Sequence, residues 1–102
     1  MTLAELQKAV RVLELGQRAT LREVKAGYRR LVKRCHPDAG GQDPERIRQL
    51  NAAYRLVLQY LADYRYCFGP EEFFEQIPEE RLRAQFQDDP VWGRDGTGAA
   101  EG

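Results

Sequence analysis

With 102 residues, of which 42% are hydrophobic and 31% charged, the chain has room for one small soluble domain and some extra. No apolar run approaches the roughly 20 residues that a bilayer span needs, and the opening MTLAELQKAV lacks the basic start and apolar stretch of a signal peptide, so a cytoplasmic protein is expected. The 16 basic and 16 acidic residues cancel, yet residues 1–66 hold 13 Lys and Arg against 7 Asp and Glu, whereas residues 67–102 hold 3 against 9. A basic segment is followed by an acidic extension, and either half has charge to offer a partner.

Leu3, Leu6, Val10 and Leu13 recur at helical spacing and predict a short amphipathic first helix, with Gly16 marking its end. Thr20 opens a second helix, and Glu23 completes a T-L-R-E capping box. Leu21, Val24, Tyr28, Leu31, Val32 and Cys35 share one stripe of that helix, while Arg22, Lys25, Arg29, Arg30, Lys33 and Arg34 occupy the rest. Pro37 disfavours helical geometry at His36, so the helix should stop near Cys35.

HPDAGGQ then reads as a polar, glycine-rich loop. Asp43 and Pro44 suit the N-cap and first turn of a third helix. Ile47, Leu50, Tyr54, Val57, Leu61 and Tyr64 carry its apolar rhythm to about residue 66. The second and third helices should pair antiparallel across the loop, with Tyr28 and Tyr54 packed between them. Residues 68–93 are less regular, but Phe73, Phe74, Ile77, Leu82, Phe86 and Trp92 are too many large apolar groups for a typical disordered segment. Pro78 is expected to start a short helix through about Gln87, and residues 94–102 read as a disordered end.

The one histidine and the two cysteines pose the question of chemistry. Cys35 and Cys67 lie at opposite ends of the expected hairpin, about 24 residues or roughly 36 Å apart, beyond the reach of a disulfide. So sparse a donor set argues against a structural zinc site. Cys35 beside His36 is a poor catalytic pair, because adjacent residues rarely present both groups to one substrate and Cys35 falls on the apolar stripe. Gly40 and Gly41 lack the strand and the lysine of a phosphate loop. Neither an enzyme nor a bound cofactor or metal is expected.

LREVKAGYRRLVKRCHPDAGG followed by IRQLNAAYRLV resembles the J domain, the DnaJ-type co-chaperone module, over about residues 5–66. An HPD tripeptide alone would be weak. Directly after a YRRL-type basic helix and before an LNAAY helix, it is specific. The resemblance implies an all-α fold, a helical hairpin joined by the HPD loop with a short first helix, to which the residues themselves add a C-terminal extension with a short helix. With the residue pattern beyond it, this divides the chain into a J domain at 1–67, an acidic, aromatic-containing extension at 68–93 and a tail at 94–102.

The resemblance also implies a partner, a DnaK-type chaperone whose ATP hydrolysis the chain would stimulate without doing chemistry itself. His36, Pro37 and Asp38 would carry activation. Pro37 presets the turn, so its neighbours lose less entropy on binding, and Asp38 offers a carboxylate to a partner's arginine. Lys25, Arg29 and Arg30 match positions that meet the partner's acidic surface, and Arg22, Lys33 and Arg34 extend that field. The chain departs from the family pattern at several points. Leu13-Glu14 stands where Leu-Gly is usual, Cys35 where an aromatic precedes HPD, and Ala39 where Lys or Arg often follows. A short basic fourth helix is not evident, and there is neither a Gly/Phe-rich linker nor a set of CxxCxGxG repeats.

Two other classes compete. Six basic residues on one helix could lie along phosphates, but the zero net charge and the lack of Asn or Gln on that face argue against nucleic acid. A J-like scaffold without chaperone activity is the other alternative, against which the intact HPD stands. For residues 70–93 two expectations are open: docking on the basic core, or recruitment of a separate partner. The chain is expected to be monomeric.

Overall fold

The computed structural model describes residues 1–35 and 43–88. Helix α1 runs Leu3–Val12, α2 Leu21–Cys35, α3 Pro44–Ala62, α4 Pro70–Gln76 and α5 Pro78–Asp88, and no strand occurs among the described residues. The chain divides into two compact units, residues 1–64 and 65–102.

Local chemistry sets the helix starts of the first unit. At α1 the Thr2 hydroxyl accepts from the Glu5 N–H at 3.1 Å and the Glu5 carboxylate accepts from the Thr2 N–H at 2.9 Å. The expected box at α2 is built the same way, Glu23 N–H to Thr20 at 3.1 Å and Thr20 N–H to Glu23 at 2.7 Å. At α3 the Asp43 carboxylate accepts from the Arg46 N–H at 3.1 Å, with Pro44 in the first turn. Each cap satisfies N–H groups that have no partner within the helix.

The end of α1 differs from the expectation that Gly16 marks it. Leu13 is the C-cap, and Glu14 follows with φ at 55°. The Glu14 N–H bonds to the Arg11 carbonyl and the Leu15 N–H to the Val10 carbonyl, both at 3.0 Å. That pair of bonds is a Schellman closure, whose left-handed residue is usually glycine. Here a glutamate takes it.

α1 and α2 both pack on α3. Ala9, Leu13, Val24, Leu31, Leu50, Ala53 and Val57 form the buried core, and Leu13 and Leu50 are fully enclosed. Tyr28 and Tyr54 stack between α2 and α3 with ring centroids 3.9 Å apart and planes 5° from parallel. The Tyr28 hydroxyl donates to Asn51 Oδ1. Glu14 meets Arg34 near the end of α2 and Arg46 near the start of α3, while Tyr28, farther back on α2, meets Asn51 and Tyr54 farther along α3. The pairing is antiparallel.

Several periodic residues lie outside this core. Leu3 and Leu21, each the first residue of its helix, are 69% and 45% exposed. Cys35, in the last turn of α2, is half-buried rather than enclosed. The helix α3 ends at Ala62 and not near residue 66. Asp63 caps it, its carboxylate accepting from the Gln59 side chain at 2.8 Å. The Tyr64 N–H closes back to Leu61 in a shorter, three-residue bond. No basic residue stands in the last turn of α3, so the Asp63 carboxylate meets the negative end of the helix dipole without an offsetting charge, and the dipole gives no reason for the helix to stop there.

The second unit holds two short helices where the sequence predicts one. α5 begins at Pro78 as expected, and α4 precedes it, also from a proline at its first turn. The two pack on each other, with Phe73 and Phe74 edge to face at 5.6 Å and the Arg81 guanidinium 5.3 Å from the Phe74 ring centre. Phe73, Ile77, Leu82 and Phe86 remain exposed. The expected disordered end at 94–102, and Trp92, lie outside the described residues.

Candidate functional site

The site begins with how α2 divides its surface. At about 100° per residue, Arg22, Lys25, Arg29 and Lys33 fall within about 80° of one another. They lie opposite the buried Val24 and Leu31. Arg30 and Arg34 fall on one flank of that row, beside the buried Gly27. A Cβ built at Gly27 would stand 3.8 Å from Leu15 Cδ2 and 3.9 Å from the Leu13 carbonyl oxygen, so this flank passes the end of α1.

All six cations are exposed. Among the described residues, the Arg34 guanidinium is the one of the six that lies within 4 Å of a carboxylate, 3.4 Å from Glu14. The acidic residue of α2 itself, Glu23, is taken up by its cap with Thr20. Arg22, Lys25, Arg29 and Lys33 thus form a row of like charge that no described carboxylate offsets, and Arg30 on the flank is likewise without a described carboxylate within 4 Å. Holding such charges side by side brings mutual repulsion, which an anionic surface would relieve.

His36, Pro37 and Asp38 lie outside the described residues. Their flanks are placed: Cys35 ends α2 in contact with the core, and Asp43 caps α3. The structure therefore brings together the cations expected on α2 and leads that helix directly into the tripeptide. Sequence reasoning missed two contributors, Gly27 and Glu14. A glycine inside an otherwise regular helix was the available signal for the first. Glu14 stood out only as a residue where glycine is usual, and its pairing with Arg34 and Arg46 spans positions far apart in the chain.

A separate groove of about 300 Å³ lies between α1 and α3, lined by Ala9, Val12, Ala52, Ala53 and Leu56 with Glu5, Lys8 and Gln49 around them. It is apolar, and the Glu5 carboxylate is engaged by the Thr2 N–H. No group of three or more His, Cys, Asp or Glu that could hold a metal occurs among the described residues. Cys35 and Cys67 are free thiols.

A basic helix antiparallel to an apolar one, entering HPD at its end, is the arrangement of a J domain, and the family model for the DnaJ domain matches residues 8–61. The chain belongs to the DnaJ-domain family. It is 47% identical over 55 residues to an uncharacterised 19.0 kDa protein of the cobS 5′ region in Sinorhizobium sp, a match covering 51% of this chain and 32% of that protein. It is 46% identical over 46 residues to a DnaJ-like protein, the MG002 homolog of Mycoplasma pneumoniae, covering 45% of this chain and 15% of that one. It is 32% identical over 68 residues to the chaperone protein DnaJ of Finegoldia magna, covering 64% of this chain and 18% of the relative. The matches span no more than about a third of these relatives. No solved structure matches the chain. A J-domain protein of the DnaJ co-chaperone family, with an all-helical fold, is what the comparisons and the helices together establish. No described helix is long and apolar enough to cross a membrane.

Proposed function

We propose that this protein binds a DnaK-type chaperone and stimulates its ATP hydrolysis, docking through the cationic row of α2 with Arg30 beside it and activating through His36, Pro37 and Asp38. The observation that carries the reading is the row itself. Arg22, Lys25, Arg29 and Lys33 stand unopposed by described carboxylates on the outer face of a helix whose inner face is fixed in the core. That helix delivers the chain directly to the HPD tripeptide.

The physics of such a face sets the character of the complex. Exposed ion pairs contribute about 0–1 kcal/mol each, so the row orients the encounter and speeds it more than it holds the product. Binding is then weak, fast and salt-sensitive, as suits a partner that must release after each turnover. The tripeptide stimulates hydrolysis by binding one state of the chaperone better than another, which shifts the chaperone's own equilibrium. All bond-breaking belongs to the chaperone. On this reading the protein is a cytoplasmic, monomeric co-chaperone without cofactor or metal.

Residues 70–93 are proposed as the part that recruits a client. In support, Phe73, Ile77, Leu82 and Phe86 stay exposed in a unit with no buried side chain among its described residues, and Glu71, Glu72, Glu75, Glu79 and Glu80 surround them in sequence.

Charge reversal tests the docking role. Lys25→Glu with Arg29→Glu should abolish binding to the DnaK-type chaperone of the same organism in a surface-immobilised assay, with the helical circular dichroism unchanged. Binding that survives both reversals would remove the row from the interface. Association with duplex DNA that disappears in the same variant, without any chaperone binding by the native chain, would favour the nucleic-acid reading instead.

A further inference from the structure

We infer that Glu14 is a positioning residue of the docking face: it holds the Arg34 and Arg46 guanidiniums at the foot of the helix pair and so keeps these two charges out of the field that an acidic partner meets on Arg22, Lys25, Arg29, Arg30 and Lys33. The inference rests on the docking reading above and adds to it the residue that sets the shape of the charged surface.

The backbone at Glu14 does not require a glutamate. Its φ of 55° is a conformation that glycine adopts without a steric penalty, and the two bonds that close α1 there use only backbone atoms. A side chain at this place is a local cost. What the side chain does is reach two other elements. One carboxylate oxygen lies 3.4 Å from Arg34 Nη2 in the last turn of α2, and the other lies 3.8 Å from Arg46 Nη2 in the first turn of α3. One anion thus spans two cations from different helices, drawing each with a different oxygen.

The consequence for the surface is geometric. Arg34 follows Lys33, the last member of the row, and its long side chain could add a charge to the row's end. The helix already sets Arg34 on the flank that faces the end of α1, and the contact with Glu14 keeps its guanidinium there rather than bent back toward the row. Arg46 is drawn to the same place. Without the carboxylate the two guanidiniums would be released and the positive field would broaden from a row into a patch spanning α2 and α3. A narrow field admits fewer orientations of an acidic partner than a broad patch does, and selectivity between acidic surfaces rises accordingly.

The test is the association rate constant for the DnaK-type chaperone, measured by stopped flow across ionic strength for the full chain and its variants. Glu14→Gln should raise that rate about two- to threefold at low salt, and the gain should vanish as salt screens the exposed groups. In an Arg34→Ala, Arg46→Ala background the same substitution should change the rate by less than half as much, because the cations through which Glu14 acts are gone. An equal gain in both backgrounds would show that Glu14 acts only as one more negative charge, and would overturn the inference. So would a Glu14→Gln rate that is unchanged or slower. A native chain that shows no association at any salt would overturn the docking reading, and the inference with it. The first two failures leave docking intact, and so the two claims fail separately.

Discussion

Glu14 and Arg34, twenty residues apart in the chain, meet at 3.4 Å across the junction of α1 and α2. The contact joins a helix end that strains its own backbone to a cation at the end of the family's signature helix. At 50% and 61% side-chain exposure the pair contributes little to stability, within the roughly 0–1 kcal/mol range of surface pairs. Left-handed geometry costs a non-glycine residue about 1–2 kcal/mol, so the two terms nearly cancel or leave a small deficit.

Two substitutions separate those terms. Glu14→Ala and Glu14→Gly both remove the carboxylate, but only glycine relieves the backbone. Glu14→Gly should therefore be more stable than Glu14→Ala by about 1 kcal/mol in urea unfolding. Equal stabilities would mean that the φ at this position carries no cost.

Gly27 offers a gain of opposite origin. It lies buried in the middle of α2, where glycine weakens a helix by about 0.8–1.0 kcal/mol relative to alanine. A Cβ there meets nothing closer than 3.7 Å, which is ordinary van der Waals contact. Gly27→Ala should raise the unfolding free energy by about 0.5–1 kcal/mol. A loss would show that α2 cannot take the methyl without moving off the end of α1.

The contrast between these two positions shows what the sequence makes legible. The three helices of the first unit were readable because capping residues and apolar spacing act within a few residues of each other, as at Thr20 with Glu23. The packing of Tyr28 and Tyr54 between α2 and α3 follows from the hairpin, whereas their parallel stack does not. Glu14 was not readable, since Gly16 lay two positions away and is the residue chemically suited to a left-handed end. The end of α3 was missed for a related reason: the apolar rhythm continues through Tyr64 although the backbone stops at Ala62. The seven-residue α4 completes too few turns to show a period. At the site, composition supplied all six cations of α2, but separating a row of four from a flank of two required the fold, which brings α1 and its carboxylate to one side of the helix.

The core of so small a unit has little reserve. Leu50 is fully enclosed, and Leu→Ala at such sites costs about 2–5 kcal/mol. A single core below about 70 residues rarely supplies more than about 3–5 kcal/mol. Leu50→Ala should accordingly lose most of its helical circular dichroism at 37 °C. Retention of a cooperative transition near the native midpoint would show that stability comes from elsewhere in the chain.

The cap of α2 is the next test of stability. Thr20→Ala removes the hydroxyl that accepts from the Glu23 N–H and should cost about 1 kcal/mol, measured by chemical unfolding. The change leaves every cation of the row in place, so chaperone stimulation by the folded variant should match that of the native chain. Loss of stimulation with the fold intact would mean that the Thr20 hydroxyl itself belongs to the interface.

The measurement that bears most directly on the account is single-turnover ATP hydrolysis by the DnaK-type chaperone of the same organism, alone, with this protein, and with its His36→Gln variant. The account predicts a faster hydrolysis step with the native chain and a return to the basal rate with the variant. No acceleration by the native chain, or equal acceleration by both, would contradict it.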